Sequence, residues 1–146
     1  MASLPLGPHV TLRASVGILV NEDGQLLFAE RSATVHTFPE RWEFPGGLVV
    51  EGESFLDGLR RELNEELGVT LKTEPRLLRR AHIVDDRGRV WLVCTYVYPL
   101  RGQVPSIREP EKCSKIDFFD PRHPPTPLLD ATKEDLRLYR EENDCG

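Results

Sequence analysis

Apolar and polar positions alternate loosely from residue 12 and close into an apolar run, Val16–Val20, the pattern of a buried strand. Asn21-Glu22-Asp23-Gly24 is a turn, and Gln25–Glu30 reads as the returning strand of a hairpin. Arg31–Arg41 is a polar loop carrying His36, Phe38 and Pro39. Trp42-Glu43-Phe44 is a short extended piece running into Pro45-Gly46-Gly47, a sharp turn. From Ser54 the period changes. Phe55, Leu59, Leu63 and Leu67 recur at helical spacing and form an apolar stripe along one side. Ser54 suits the N-cap, with Asp57 completing a capping-box-like pair, and Gly68 is placed to end the helix in a left-handed conformation.

Beyond the helix, Arg76–Val84 and Arg89–Pro99 are extended segments around Asp85-Asp86-Arg87-Gly88, a second hairpin. Lys115–Phe119 is a short strand, Pro121–Pro127 a loop, and Asp130 to about Glu141 a helix with Thr132 as its cap. No internal repeat or long linker divides the chain, so residues 1–146 read as one domain. The pattern is a mixed sheet with two helices, an α+β or three-layer α/β/α arrangement.

Composition narrows the function classes. A net charge of -5 argues against a nucleic-acid polymer as partner, since such proteins carry a basic excess. It does not exclude an anionic small molecule, because a metal and a few arginines override the global sign locally. Cys94, Cys113 and Cys145 are odd in number and unevenly spaced, which suggests reduced thiols; Cys94, inside an apolar run, reads as core. The N-terminus MASLPLGPHV lacks the basic and apolar regions of a secretory leader, and no apolar run approaches the ~20 residues needed to cross a bilayer. These features predict a cytoplasmic protein without a membrane partner.

The candidate chemistry sits on the first helix. Glu62, Glu65 and Glu66 fall at i, i+3 and i+4 and so share one helical face. Without a partner they repel one another. A helix that tolerates this holds a divalent cation, and hard cations such as Mg²⁺ prefer carboxylate oxygen.

Residues Gly47–Val69 resemble the Nudix box, G-x5-E-x7-R-E-U-x-E-E-x-G-U with U a bulky aliphatic. Each specified position is filled: Gly47, Glu53, Arg61, Glu62, Leu63, Glu65, Glu66, Gly68 and Val69. A chance match in a chain of this length is on the order of one in ten million. The resemblance implies a Nudix-type α/β/α sandwich with a mixed β-sheet. It implies Mg²⁺- or Mn²⁺-dependent hydrolysis of a nucleoside diphosphate linked to another moiety. Carried over by position, Glu62, Glu65 and Glu66 would be metal ligands, with the Gly46 carbonyl as a further one. Glu53 would stand behind them, and Arg61 would orient the glutamates. Glu65 or Glu66 would take the proton of the attacking water.

Glu109-Pro110-Glu111-Lys112-Cys113 resembles an E-P-E-K-C segment of the MutT-like, nucleotide-pool-cleaning branch. There the second glutamate, here Glu111, serves as ligand or base; Glu109 is the weaker candidate. Arg31 stands where many family members carry a phosphate-contacting Arg or Lys. Arg79, Arg80 and His82 read as a solvated strand face rather than a substrate wall, His36 and His123 show no ligand spacing, and Trp42 and Trp91 read as core or rim aromatics. The chain departs from the branch at Val50, where the extension of the box is acidic, and at Ile116 and Phe118, where the branch has W-x-W. Thr126–Asp130 has no match to its purine-stacking aromatics.

The leading expectation is therefore a pyrophosphohydrolase of a nucleoside triphosphate, an oxidised one included, giving the monophosphate. Dinucleoside polyphosphates, nucleotide sugars and diphosphoinositol polyphosphates are alternative small-molecule phosphate-anhydride substrates. The last would need a basic pocket, for which Arg76, Arg79, Arg80, Arg87 and Arg89 are the available source. A Nudix-fold module that binds a nucleotide without cleaving it is the alternative of another class. The chain is expected as a monomer or homodimer.

Overall fold

The computed structural model describes residues 11–144. The elements are β1 (Leu12–Val20), β2 (Leu26–Arg31), β3 (Trp42–Glu43), β4 (Gly46–Leu48), α1 (Phe55–Leu67), β5 (Arg76–Val84), β6 (Val90–Pro99), β7 (Cys113–Phe119) and α2 (Asp130–Asp144). Strand order along the main sheet is β3-β2-β1-β6-β5, with β4 paired to β1 and β7 to β2. The β1–β6 pairing is parallel and runs from Leu12↔Trp91 to Val20↔Pro99, whereas the other strand pairings are antiparallel. The sheet is thus mixed, as the sequence predicts.

Strand alternation sends neighbouring side chains to opposite faces, and each face has its own helix. Leu19, Leu27 and Tyr98 pack with Leu59, Leu63 and Leu67 of α1. Ile18, Leu26 and Phe28 pack with Trp42, Phe44 and, from α2, Leu136 and Tyr139. The result is the expected three-layer α/β/α sandwich.

Helix α1 forms where the stripe predicts. Ser54 Oγ accepts the Asp57 N–H at 3.0 Å, and Gly68 closes the helix at φ 70°, its N–H donating to Asn64 O at 3.0 Å. Leu59, Leu63 and Leu67 are buried. Phe55 is only partly so, its ring lying between the guanidiniums of Arg13 and Arg80, 5.4 and 5.5 Å from the centroid.

Two local expectations change. Pro45-Gly46-Gly47 is not a turn: Gly46–Leu48 is a strand in register with β1, Val16 opposite Gly46 and Ala14 opposite Leu48. Glycine is required there for close approach, since a Cβ on Gly46 (φ 154°) would lie 2.1 Å from the Ser15 carbonyl oxygen. The β1–β2 hairpin forms as expected, antiparallel at Val20↔Leu26, and β2 pairs along its length with β7 on its other side. Helix α2 begins at Asp130, with Lys133 N–H donating to Leu129 O, so Thr132 lies in the first turn and is not the cap. Cys94 is buried, as expected of a core residue, and Cys113 is half-buried; both are free. Cys145 and the N-terminal stretch assessed for a leader lie outside the described residues. Among those described, no helix is long and apolar enough to cross a membrane.

Candidate active site

The acidic face of α1 is organised by Arg61. Its Nε donates to Glu53 Oε2 at 2.7 Å, and its Nη2 to Glu53 Oε1 at 3.0 Å and to Leu48 O at 2.8 Å. Its Nη1 donates to Glu62 Oε2 at 2.8 Å and Glu65 Oε1 at 3.2 Å. One planar guanidinium thus ties the segment between β4 and α1 to the helix and fixes the orientation of the carboxylates. Glu53 Oε1 also accepts the Val50 N–H at 2.9 Å. These bonds, Arg61 first, hold the Glu53 carboxyl at about 2, so it is ionised at neutral pH. The same pairing with Glu53 raises the pKa of Arg61.

Glu62 is 6% exposed and lies against the backbone of β4. A Cβ on Gly47 would stand 2.4 Å from Glu62 Oε1, so this glycine makes room for the carboxylate itself. Glu66, one turn on, is half-buried. Burial first, then the charge of Glu62 and a hydrogen bond with it, push the Glu66 carboxyl up to about 9; Glu43 and Glu109 act in the same direction. The Glu66 carboxyl is therefore protonated at neutral pH in the absence of a cation. Glu65 is exposed.

Two further acids reach this cluster from outside the helix. Glu43, at the end of β3, is raised by burial and partly compensated by Arg31, whose Nη1 donates to Glu43 Oε2 at 2.9 Å. Glu109 comes from the loop after β6, which docks on the C-terminus of α1: Ser106 N–H donates to Leu67 O at 3.1 Å and Arg108 N–H to Glu66 O at 2.9 Å. Glu109 Oε1 is buried without a hydrogen-bond partner among the described residues, Lys112 Nζ standing 3.5 Å away. Glu111 is exposed, and its carbonyl accepts Thr34 Oγ1 at 3.5 Å. Of the two glutamates in this segment, Glu109 is the one whose charge acts on Glu66. Its place depends on the loop capping α1, which no local spacing announces.

Among the described residues, no three His, Cys, Asp or Glu side chains converge on one point at metal-binding distances. The donor set nonetheless fits a hard divalent cation. It consists of oxygen, it sets the Glu66 carboxyl against the charge of Glu62, and it includes a buried carboxylate oxygen, Glu109 Oε1, with no hydrogen-bond partner among the described residues.

The cluster opens onto a cavity of about 630 Å³. Glu43, Glu62 and Glu66 line it together with Trp91, Val93 and, at the start of α2, Thr132. Arg31 lines it too, but its guanidinium is engaged: besides Glu43, Nε and Nη2 bond Thr37 O and Oγ1 at 2.8 and 2.9 Å. Arg79 is not solvated. It donates to buried Asp135 at 2.6 Å and to Ala131 O at 3.2 Å. Trp42 is core, whereas Trp91 lines the cavity with its indole N–H on Asp85 Oδ2 at 2.8 Å. His36, His82 and His123 are exposed.

Comparison with known proteins agrees with this geometry. The NUDIX domain model matches residues 11–141. An RNA pyrophosphohydrolase of Bartonella bacilliformis is 47% identical over 125 residues, 73% of this chain and 73% of that protein. The 8-oxo-dGTP diphosphatase of Escherichia coli is 39% identical over 59 residues, 40% of this chain and 45% of that one. An isopentenyl-diphosphate Delta-isomerase of Halobacterium salinarum is 30% identical over 152 residues, 95% of this chain and 64% of its own length. The chain also spans 49% of an uncharacterised Nudix hydrolase of Streptomyces coelicolor, so it covers less than two thirds of several relatives. Among solved structures, the MutT NUDIX hydrolase of Burkholderia pseudomallei superposes with a TM-score of 0.79 at 26% identity, over 88% of this chain and 97% of that one. With the family model spanning nearly all of the described residues and Glu62 and Glu66 of α1 lining an open cavity, the chain belongs to the Nudix family.

Proposed function

We propose that this chain hydrolyses the phosphate-anhydride bond of a nucleoside triphosphate, an oxidised one included, to the monophosphate. The observation that carries the reading is the make-up of the cavity. Its lining joins the glutamates Glu43, Glu62 and Glu66 to a set of apolar and aromatic groups, among them Val16, Val35, Phe38, Ile83 and Trp91. Such a cavity suits a triphosphate tail at the acids and an uncharged, flat heterocycle beyond.

A diphosphoinositol substrate is disfavoured by the same lining. Its cations are Arg31 and Lys112, and Arg31 is paired with Glu43. Of the five arginines that could build a basic pocket, Arg76 is paired with Glu142, Arg79 with Asp135 and Arg89 with Asp85, and Arg80 and Arg87 are not among the residues that line this cavity. The relative named for 8-oxo-dGTP supports the nucleotide reading. A binding module without activity is disfavoured because Glu53, Glu62, Glu65 and Glu66 are all in place around Arg61.

Mg²⁺, or Mn²⁺, is the cation this oxygen set would hold, through Glu62, Glu66 and the Gly46 carbonyl. From the loop after β6, Glu109, with its buried Oε1, is the candidate we favour over the exposed Glu111. When bound, the ion supplies Lewis acidity and offsets the phosphate charge. The protein side of the reaction is positional. Arg61 and Gly47 fix Glu62 in one orientation. Glu66, ionised once its proton is displaced, lines the cavity as the candidate proton acceptor, with the exposed Glu65 beside it on the helix. Glu53 keeps Arg61 in register and stays charged throughout.

The test is a substrate panel with Mg²⁺ and chromatographic identification of products. Pyrophosphate plus monophosphate from nucleoside triphosphates is expected. Orthophosphate from a diphosphoinositol compound, with triphosphates untouched, overturns the reading.

A further inference from the structure

Residues 32–41 form a loop whose ends are close together. Arg31 N–H donates to Arg41 O at 2.8 Å and Glu40 N–H to Arg31 O at 3.0 Å. Compact loops closed at the base in this way are packed by their own contacts and recur at functional sites. This one leaves the end of β2 and reaches the turn between β5 and β6 on the other side of the cavity mouth. Val35, Thr37 and Phe38 line the cavity from the loop, and Ile83, Val84, Asp85 and Asp86 line it from the opposite bank.

The loop is tied at two places. At the base, Arg31 bonds both Thr37 O and Thr37 Oγ1 while its remaining terminal nitrogen holds Glu43. At the tip, the Phe38 N–H donates to Asp86 Oδ2 at 3.0 Å across the mouth. Asp86 is exposed and Phe38 half-buried, so the bond is made at the cavity's edge and not in the core. Phe38 and Glu40 sit at φ 47° and 63°, conformations that cost a side-chain-bearing residue about 1 kcal/mol or more and persist only where surrounding contacts impose them. The imposed contacts here are those of Arg31 and Asp86.

We propose that Arg31 and Asp86 are positioning residues that hold residues 32–41 as a strap over the substrate cavity, Arg31 from below and Asp86 as a latch from across the mouth. The inference rests on the reading of that cavity as the substrate site. Arg31 links the strap to Glu43, which lies beside the glutamate cluster, so strap position and cluster geometry share one side chain. The strap would cover the part of the nucleotide that is not phosphate and exclude water from it.

Amide hydrogen exchange tests the latch without any substrate. In the wild-type chain the Phe38 amide is expected to be protected. Asp86→Ala is expected to speed its exchange at least ~10-fold, and Asp86→Asn, whose amide oxygen still accepts the bond, to stay within ~3-fold of wild type. An unprotected Phe38 amide in wild type, or equal exchange in the two variants, overturns the latch. Kinetics with Mg²⁺ and a nucleoside triphosphate give the second readout. Asp86→Ala is expected to raise KM about fivefold with kcat within about twofold, and Asp86→Asn to restore it. Unchanged KM in Asp86→Ala overturns the role in substrate retention. If no triphosphate is turned over by wild type, the substrate reading fails, and the exchange measurement still decides the strap.

Discussion

Arg61 grips Glu53 through two parallel hydrogen bonds, Nε to Oε2 at 2.7 Å and Nη2 to Oε1 at 3.0 Å, and spends its remaining terminal nitrogen on Glu62 and Glu65. A lysine carries the charge but not the fork. Arg61→Lys is therefore expected to lower Mg²⁺ affinity and kcat/KM by about 10- to 100-fold, the usual effect of losing a group that orients metal ligands. Metal titration and steady-state kinetics read this directly. Wild-type values in the lysine variant would show that charge alone suffices and that the fork is dispensable.

Gly46 and Gly47 are adjacent but should fail differently. A Cβ on Gly47 meets the end of a side chain, Glu62 Oε1 at 2.4 Å, which can swing away; one on Gly46 meets the Ser15 backbone at 2.1 Å, which cannot. Gly47→Ala is expected to keep its melting temperature within a few degrees while activity falls at least ~10-fold, because Glu62 is displaced. Gly46→Ala should lose about 2–4 kcal/mol of stability by prising β4 from β1. Thermal melts beside activity assays separate the two, and a Gly47→Ala variant that unfolds while remaining fully active per folded molecule would contradict the assignment.

What the chain discloses about itself follows the range of the interaction. Helix α1, its cap at Ser54, its end at Gly68 and the shared face of Glu62, Glu65 and Glu66 all depend on spacings within a few turns, and all are legible. Glycines announce a turn by default, so β4 escapes notice: Gly46 and Gly47 are there for what crosses above them, Ser15 and Glu62. Glu109 is ranked below Glu111 because its burial is decided by Ser106 and Arg108 docking on carbonyls of α1, some forty residues back in the chain. Arg31 looks free to bind phosphate until Thr37 and Glu43 are folded onto it.

Glu66 gives the site a pH signature. Its carboxyl stands at about 9 against an ordinary 4.5, so between those values the metal-free native protein holds a proton that the unfolded chain has lost. The native state then gains stability as pH falls through that window and loses it as pH rises. In chelator, urea unfolding should show wild type losing more stability from pH 6 to pH 9 than Glu66→Gln, which has no proton to lose. Cation binding at pH 7 should release a proton, measurable by calorimetry in buffers of different ionisation enthalpy. Glu66→Gln should also cut turnover at least ~10²-fold with the fold retained. Parallel pH–stability curves for the two proteins would remove Glu66 as the proton holder.

Arg79 supplies the last test, because the strand pattern misreads it. On β5 it reads as one of a row of solvated basic residues, yet its Nε donates to Asp135 Oδ1 at 2.6 Å, from a helix 56 residues further on. Asp135 is 3% exposed, and its other oxygen accepts Thr95 Oγ1 at 2.8 Å, Thr95 itself being 1% exposed. Burial raises the Asp135 carboxyl, while the bond and charge of Arg79 oppose that rise. Removing the cation leaves a buried carboxylate with a single hydroxyl for company. Arg79→Ala is accordingly expected to cost about 3–5 kcal/mol, the penalty of breaking a buried pair from one side. Adding Asp135→Asn should recover part of that loss, since a neutral amide tolerates the site better than an unpaired charge. Because this pair fastens the start of α2 to the sheet that walls the cavity, Arg79→Ala should also raise KM more than it lowers kcat. Denaturant unfolding of the single and double variants decides the point: additive losses would mean that the two side chains stabilise the protein independently and that α2 is held by its apolar face alone.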